Sequence, residues 1–123
     1  MLTIGVIVLG VDDMARGVSF WRQALGYVPR EGEASEDWTV LEPAYGTGVA
    51  LALDVSETPV QEKPRMHLDL FAVSEEEQLA EIDRLIALGA QHVDWENYPE
   101  DPDFVVLADP EGNRFCVVDS SRI

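Results

Sequence analysis

Only one cysteine, Cys116, occurs in the 123 residues, so no disulfide can form within the chain. Basic residues are scarce: 8 Lys and Arg stand against 24 Asp and Glu, a formal charge of −16. Neutralising phosphates takes clustered cations, so nucleic acid and anionic membrane surfaces are not expected as partners. No apolar run approaches the roughly 20 residues that span a bilayer, and no charged, apolar and small-residue pattern marks a leader, so cytoplasmic residence is the expectation. Phosphate-cradling glycine patterns and a hydrolase-type Ser, His and Asp order are also missing. What is present is a 46% hydrophobic composition, enough for one domain with a core and too little chain for two independent ones. One domain over residues 1–123 is expected, with a first module at 1–58 and a second at 64–123.

The stretch Arg65-Met-His-Leu-Asp-Leu-Phe-Ala-Val73 carries the most information. Alternation puts Met66, Leu68, Leu70 and Ala72 on one face of a strand and His67, Asp69, Phe71 and Val73 on the other. Ser74 and Glu77 follow with capping-box spacing, so the strand passes directly into a helix over Glu75 to Leu88, with Leu79, Ile82 and Ile86 on one side. Gly89 stops it.

The first half has the same grammar. Leu2 to Val11 reads as a buried strand, Asp13 caps a helix striped by Met14, Val18, Trp21 and Leu25, and Gly26 ends that helix. The two helix ends, Ala24-Leu-Gly26 and Ala87-Leu-Gly89, match at an offset of 63 residues. Three strands follow each helix: Tyr27 to Arg30, Asp37 to Glu42 and Val49 to Val55, then Ala90 to Trp95, Asp103 to Ala108 and Phe115 to Asp119. Each half therefore reads β-α-β-β-β, an internal repeat of an α+β fold with helices on one side of the sheets.

These residues resemble a known family. Val11-Asp-Asp-Met-Ala-Arg16, Phe20-Trp-Arg-Gln-Ala-Leu-Gly26, Arg65-Met-His-Leu-Asp-Leu70 and Leu107-Ala-Asp-Pro-Glu-Gly-Asn-Arg-Phe-Cys116 are similar to the glyoxalase-like branch of the vicinal oxygen chelate superfamily. The resemblance covers essentially the whole chain. It implies two β-α-β-β-β modules forming a curved mixed sheet around a cavity, and usually a homodimer. It spans glyoxalases, extradiol dioxygenases, epimerases, fosfomycin-inactivating transferases and proteins that sequester bleomycin-type drugs, so the fold alone does not fix the reaction. Its enzymes hold a divalent metal with ligands from the first and last strands of each module. Those positions here are Val6, Asp54, His67 and Cys116, and Val6 has no donor atom. A metal, if bound, would use His67, Asp54 and Cys116, but no metal and no other cofactor is expected.

The ligand-facing surface is expected to carry His67, Asp69, Phe71, Asp54, Arg114 and Cys116, with Val6, Val8, Ala50, Ala52 and Val118 on the same faces. Trp38, Trp95, Tyr45 and Tyr98 can wall a planar ligand, and the acidic loop Glu96 to Asp103 can form a rim. Two functional classes remain open. One is a metal-free protein that binds a small organic molecule, cationic or aromatic. The other is an enzyme, either a glyoxalase-type lyase or dioxygenase with a degenerate metal site, or an isomerase using His67 as general base.

Overall fold

A computed structural model describes residues 1–123. The chain divides into two compact units, Met1–Pro59 and Val60–Ile123. The first contains β1 (Val6–Val11), α1 (Met14–Leu25), β2 (Tyr27–Ala34), β3 (Trp38–Pro43) and β4 (Ala50–Val55). In the second are β5 (Leu68–Ala72), α2 (Glu75–Ala87), β6 (Gln91–His92), β7 (Phe104–Ala108) and β8 (Arg114–Asp119), closed by a 3₁₀ turn at Ser120–Arg122. Each unit holds one four-stranded mixed sheet, in the orders β1-β4-β3-β2 and β5-β8-β7-β6. The first and last strands of each unit run parallel and the other pairs antiparallel. The two-module α+β fold read from the sequence is the fold observed.

Local chemistry accounts for the helices. Asp13 accepts from Arg16 N at 3.1 Å and opens α1, and Gly26 closes it at φ 68°, where a Cβ would be strained. At α2 Ser74 accepts from Glu77 N at 3.1 Å, while Glu77 Oε2 accepts from Val73 N at 2.6 Å. The Glu77 bond reaches one residue beyond the cap that a strict capping box would use. It ties the end of the β5 segment to the helix.

In the first unit α1 packs across β2, β3 and β4, burying Phe20 and Trp21 to 1% exposure, their rings edge to face at 5.1 Å. Burying each contributes on the order of 2–3 kcal/mol. Gly17 permits the approach, because a Cβ there would stand 2.9 Å from Val11 Cγ1 and 3.3 Å from Leu53 Cδ1. Gly17→Ala should therefore destabilise the protein by about 1 kcal/mol in urea unfolding. Relief of overlap costs roughly 1–3 kcal/mol and outweighs the roughly 1 kcal/mol that alanine gains in helix propensity. A stabilised variant would show that the overlap is relieved for less than this.

In the second unit the buried positions of α2 are Gln78, Ile82 and Leu85, not the expected stripe of Leu79, Ile82 and Ile86. Leu79 is 56% exposed. Gln78 takes the inner place because its Nε2 donates to the carbonyls of Asp103 at 3.1 Å and Val117 at 2.9 Å, so burying the amide leaves no donor unmet.

Several strand limits differ from the sequence reading, and ladder partners explain each. β1 begins at Val6, opposite Ala50, and Leu2 and Ile4 ahead of it are exposed. β5 begins at Leu68, opposite Phe115, so His67 lies just outside the ladder. β2 runs on to Ala34 through an irregularity between Pro29 and Ala34. β6 keeps only Gln91 and His92, paired with Ala108 and Leu107, and the segment from Val93 to Trp95 leaves the sheet.

Candidate functional site

The second unit contains a cavity of about 430 Å³ whose wall includes His67, Asp69, Phe71, Trp95, Phe104, Arg114 and Cys116. Its floor follows from strand alternation. On β8, Arg114, Cys116 and Val118 point one way. Register pairs Cys116 with Asp69 on one side and with Val106 on the other, and Val118 with Phe71 and Phe104. Cys116, Val106 and Val118 form a small apolar cluster, with Val93, Trp95 and Phe104 packed against it. The large hydrophobes on the other face, Leu70 and Val117 among them, alternate with these residues.

Three donors converge in the cavity. His67 Nδ1 lies 3.0 Å from Asp69 Oδ1, and the donor atoms of His67, Asp69 and Cys116 all fall within 4.8 Å of one another. The imidazole and carboxylate are partly exposed; the thiol is buried. Burial first, then the Asp69 charge and a hydrogen bond to Asp69, push the Cys116 thiol up to about 12. Cys116 could ligate a metal only as the thiolate, so a metal would have to displace its proton on binding. Asp69 stands between the imidazole and the thiol. His67, Asp69 and Cys116 can offer one ligand atom each to a metal ion, but Val6 offers none, so the four-ligand site that the resemblance implies is incomplete here.

The loop expected to form a rim contributes Asn97 and Asp103 to the wall. It is anchored from the C-terminal turn: Arg122 donates to the carbonyls of Asp101 at 2.8 Å and Pro102 at 3.0 Å. Tyr98 faces inward differently from the expectation. Its hydroxyl accepts from Val106 N at 2.8 Å and its ring leans on Phe104 at 5.4 Å, so it supports the wall from behind. Tyr45 belongs to an exposed turn of the first unit.

Trp38 and Asp54 also belong to the first unit, directly opposite one another across β3 and β4. Trp38 packs on Val40, Ala50 and Ala52, and its Nε1 donates to Glu33 Oε2 at 2.9 Å. Neither residue lines the second unit's cavity, and the third member of the donor group there is Asp69 rather than Asp54.

Phe104 and Val106 were missed by the sequence reading. Their alternation on a strand bordering β8 was visible, but which side of β8 that strand pairs with was not. Pro64 and Ile123, also on the wall, carry no sequence signal of a site.

Residues 6–118 match the model of a glyoxalase-like domain family. No curated protein matches the chain. Among solved structures it is similar to a glyoxalase-related enzyme from Fulvimarina pelagi, at 20% identity and TM-score 0.70, covering 96% of this chain and 88% of that one. A glyoxalase/bleomycin resistance protein/dioxygenase family enzyme from Burkholderia phytofirmans PsJN gives 16% and 0.73, covering 94% and 97%. The fosfomycin resistance protein FosX from Listeria monocytogenes, solved as a mutant with Mn(II) and 1S,2S-dihydroxypropylphosphonic acid, gives 15% and 0.73, covering 97% and 90%. At these identities the structures speak to fold alone. The family match over nearly the whole length is what assigns the chain: it belongs to the glyoxalase-like domain family of the vicinal oxygen chelate superfamily.

Proposed function

We propose that the protein binds a small, flat organic molecule in the cavity of its second unit and does so without a resident metal. The cavity itself carries this reading. Its volume suits a one- or two-ring compound, its walls are aromatic at Phe71, Trp95 and Phe104, and its polar groups are His67, Asp69 and Arg114, with Asn97 and Asp103 from the loop. That is the composition of a site that orients a ligand through a few hydrogen bonds and gains affinity from apolar contact.

The test uses 2-naphthamide as a neutral two-ring probe, followed by calorimetry and by the fluorescence of Trp95. Binding at one site per chain is expected, and His67→Ala should weaken it roughly three- to tenfold, the loss of about one hydrogen bond. The same preparation should hold no stoichiometric divalent metal, and chelator should leave its melting temperature unchanged. One equivalent of zinc, nickel or iron, lost on His67→Ala, would overturn the metal-free reading.

A second reading rests on the His67 and Asp69 pair. A carboxylate 3.0 Å from Nδ1 can orient the imidazole, and a ring nitrogen so oriented can serve as a general base. The pair then suits abstraction of a proton from carbon next to a carbonyl, the step of a metal-free isomerase.

A further inference from the structure

Arg114 opens β8 with its guanidinium on the cavity wall. Its Nη1 donates to the carbonyl of Gly112 at 2.9 Å. Its Nε is the one buried side-chain nitrogen or oxygen in the protein with no hydrogen-bond partner. No carboxylate forms an ion pair with it. Two carboxylates, Asp69 and Asp103, share the wall with it. Asp69 stands 3.0 Å from His67 Nδ1, and neither it nor Asp103 pairs with Arg114.

Buried donors that lack a partner are uncommon, and this one belongs to a cation that no carboxylate neutralises. Guanidinium groups donate and never accept, so a ligand that meets the N–H groups of Arg114 left free of Gly112 must present an acceptor. An anionic oxygen does so best, because charge-assisted bonds are the shorter and stronger class, and the planar fork suits a carboxylate. The register that pairs Leu68 with Phe115 and Asp69 with Cys116 leads, one step back, to His67 and Arg114. Thus an acceptor held by Arg114 lies at the same end of the cavity as the imidazole, with the aromatic wall beside it.

The formal charge of −16 argues for the opposite ligand, a cation. Range decides between the two. At physiological ionic strength surface charges are screened beyond about 8 Å, so scattered acidic residues raise local cation concentration only modestly, whereas Arg114, Asp69 and Asp103 on the wall act at contact distance, and of these Asp69 stands 3.0 Å from His67 Nδ1 while Arg114 has no ion-pair partner.

We infer that Arg114 is a specificity-determining residue that selects ligands carrying a carboxylate or comparable oxyanion on a flat apolar body. The inference rests on the cavity being the binding site. Its test compares three probes of one shape: 2-naphthoate, neutral 2-naphthamide and 2-naphthylmethylammonium, each titrated calorimetrically into wild type, Arg114→Met and Arg114→Lys at 150 mM salt.

Naphthoate should bind wild type about tenfold or more tightly than the amide, and the ammonium most weakly. Arg114→Met should abolish the preference for the anion over the amide, and an unchanged urea-unfolding midpoint certifies that the variant is folded. Arg114→Lys, which keeps the charge without the fork, should retain part of the preference. An ammonium that binds best, or an anion preference that survives Arg114→Met, would overturn the role of Arg114 while leaving the cavity as the site. If none of the three probes binds wild type, the binding-cavity reading falls and this inference with it.

Discussion

Iodoacetamide should alkylate Cys116 about a thousandfold more slowly in the folded protein at pH 8 than in the chain unfolded by guanidinium. The thiolate is the reacting species, and raising the thiol from its ordinary 9.0 to about 12 lowers the thiolate fraction by roughly that factor. Burial is the leading cause, since Cys116 is only 7% exposed beneath Val106 and Val118. Asp69 adds to it twice, through its negative charge and by accepting the thiol's hydrogen bond. Asp69→Asn should accordingly speed alkylation by about tenfold, and the remaining protection is that of burial. Equal rates in folded and unfolded wild-type protein would show that the thiol is neither buried nor held protonated.

The same shift predicts a pH dependence of stability. The unfolded thiol ionises above pH 9 and the folded one only above about 12. Stability contributed by the neutral thiol is therefore fully present below pH 9 and is lost as pH rises toward 12, by about 1.4 kcal/mol per unit. Wild type should lose stability relative to Cys116→Ala across that window and hold a constant difference below it. A zinc ion would have to overcome the same preference for the neutral thiol before Cys116 could ligate it.

The second large effect is expected at Asp109. Asp109→Ala should destabilise the protein by about 3 kcal/mol in urea unfolding, whereas Glu57→Ala, on an exposed loop, should stay within about 0.5 kcal/mol. Asp109 is 2% exposed, and its Oδ1 accepts from the backbone N–H groups of Glu111 and Asn113, both at 2.9 Å. Oδ2 accepts from Asn113 Nδ2 at 3.3 Å. Alanine would strand two backbone donors inside a turn that also closes through Gly112 N to Asp109 O and Asp109 N to Asn113 O. Each unmet buried donor costs about 1–3 kcal/mol. Asp109→Asn keeps an oxygen where Oδ1 stands and should cost about half as much. This turn delivers the chain into β8, so its loss should also weaken ligand binding through Arg114 and Cys116. Equal stability of Asp109→Ala and wild type would mean that the turn forms without its carboxylate.

Much of this protein is written locally. Asp13, Gly26, Ser74 with Glu77, and Gly89 mark both helices, because a cap satisfies backbone groups three or four residues away and needs nothing more distant. Strand alternation alone placed His67, Asp69 and Phe71 on one face, and Arg114, Cys116 and Val118 on another, since successive side chains of a strand must point oppositely. The Asp-Pro-Glu-Gly-Asn turn was equally legible.

What depends on a partner far along the chain was not. A strand extends only as far as the strand it pairs with, which is why β1 starts at Val6, β5 at Leu68, and β6 shrinks to two residues. The polar Gln78 displaced Leu79 from the inner stripe of α2 because its two acceptors lie on β8 and at the start of the β7 segment, 39 and 25 residues away. The donor group of the site was decided in the same way. The sequence reading grouped Asp54 with His67 and Cys116, and the parallel pairing of β5 with β8 brought Asp69 beside Cys116. Composition pointed to a cationic ligand, yet the cavity carries an arginine whose Nε has no protein partner. Net charge is a sum over the whole chain, while hydrogen-bond satisfaction at one atom is set by the few groups that the tertiary fold leaves within about 3 Å of it.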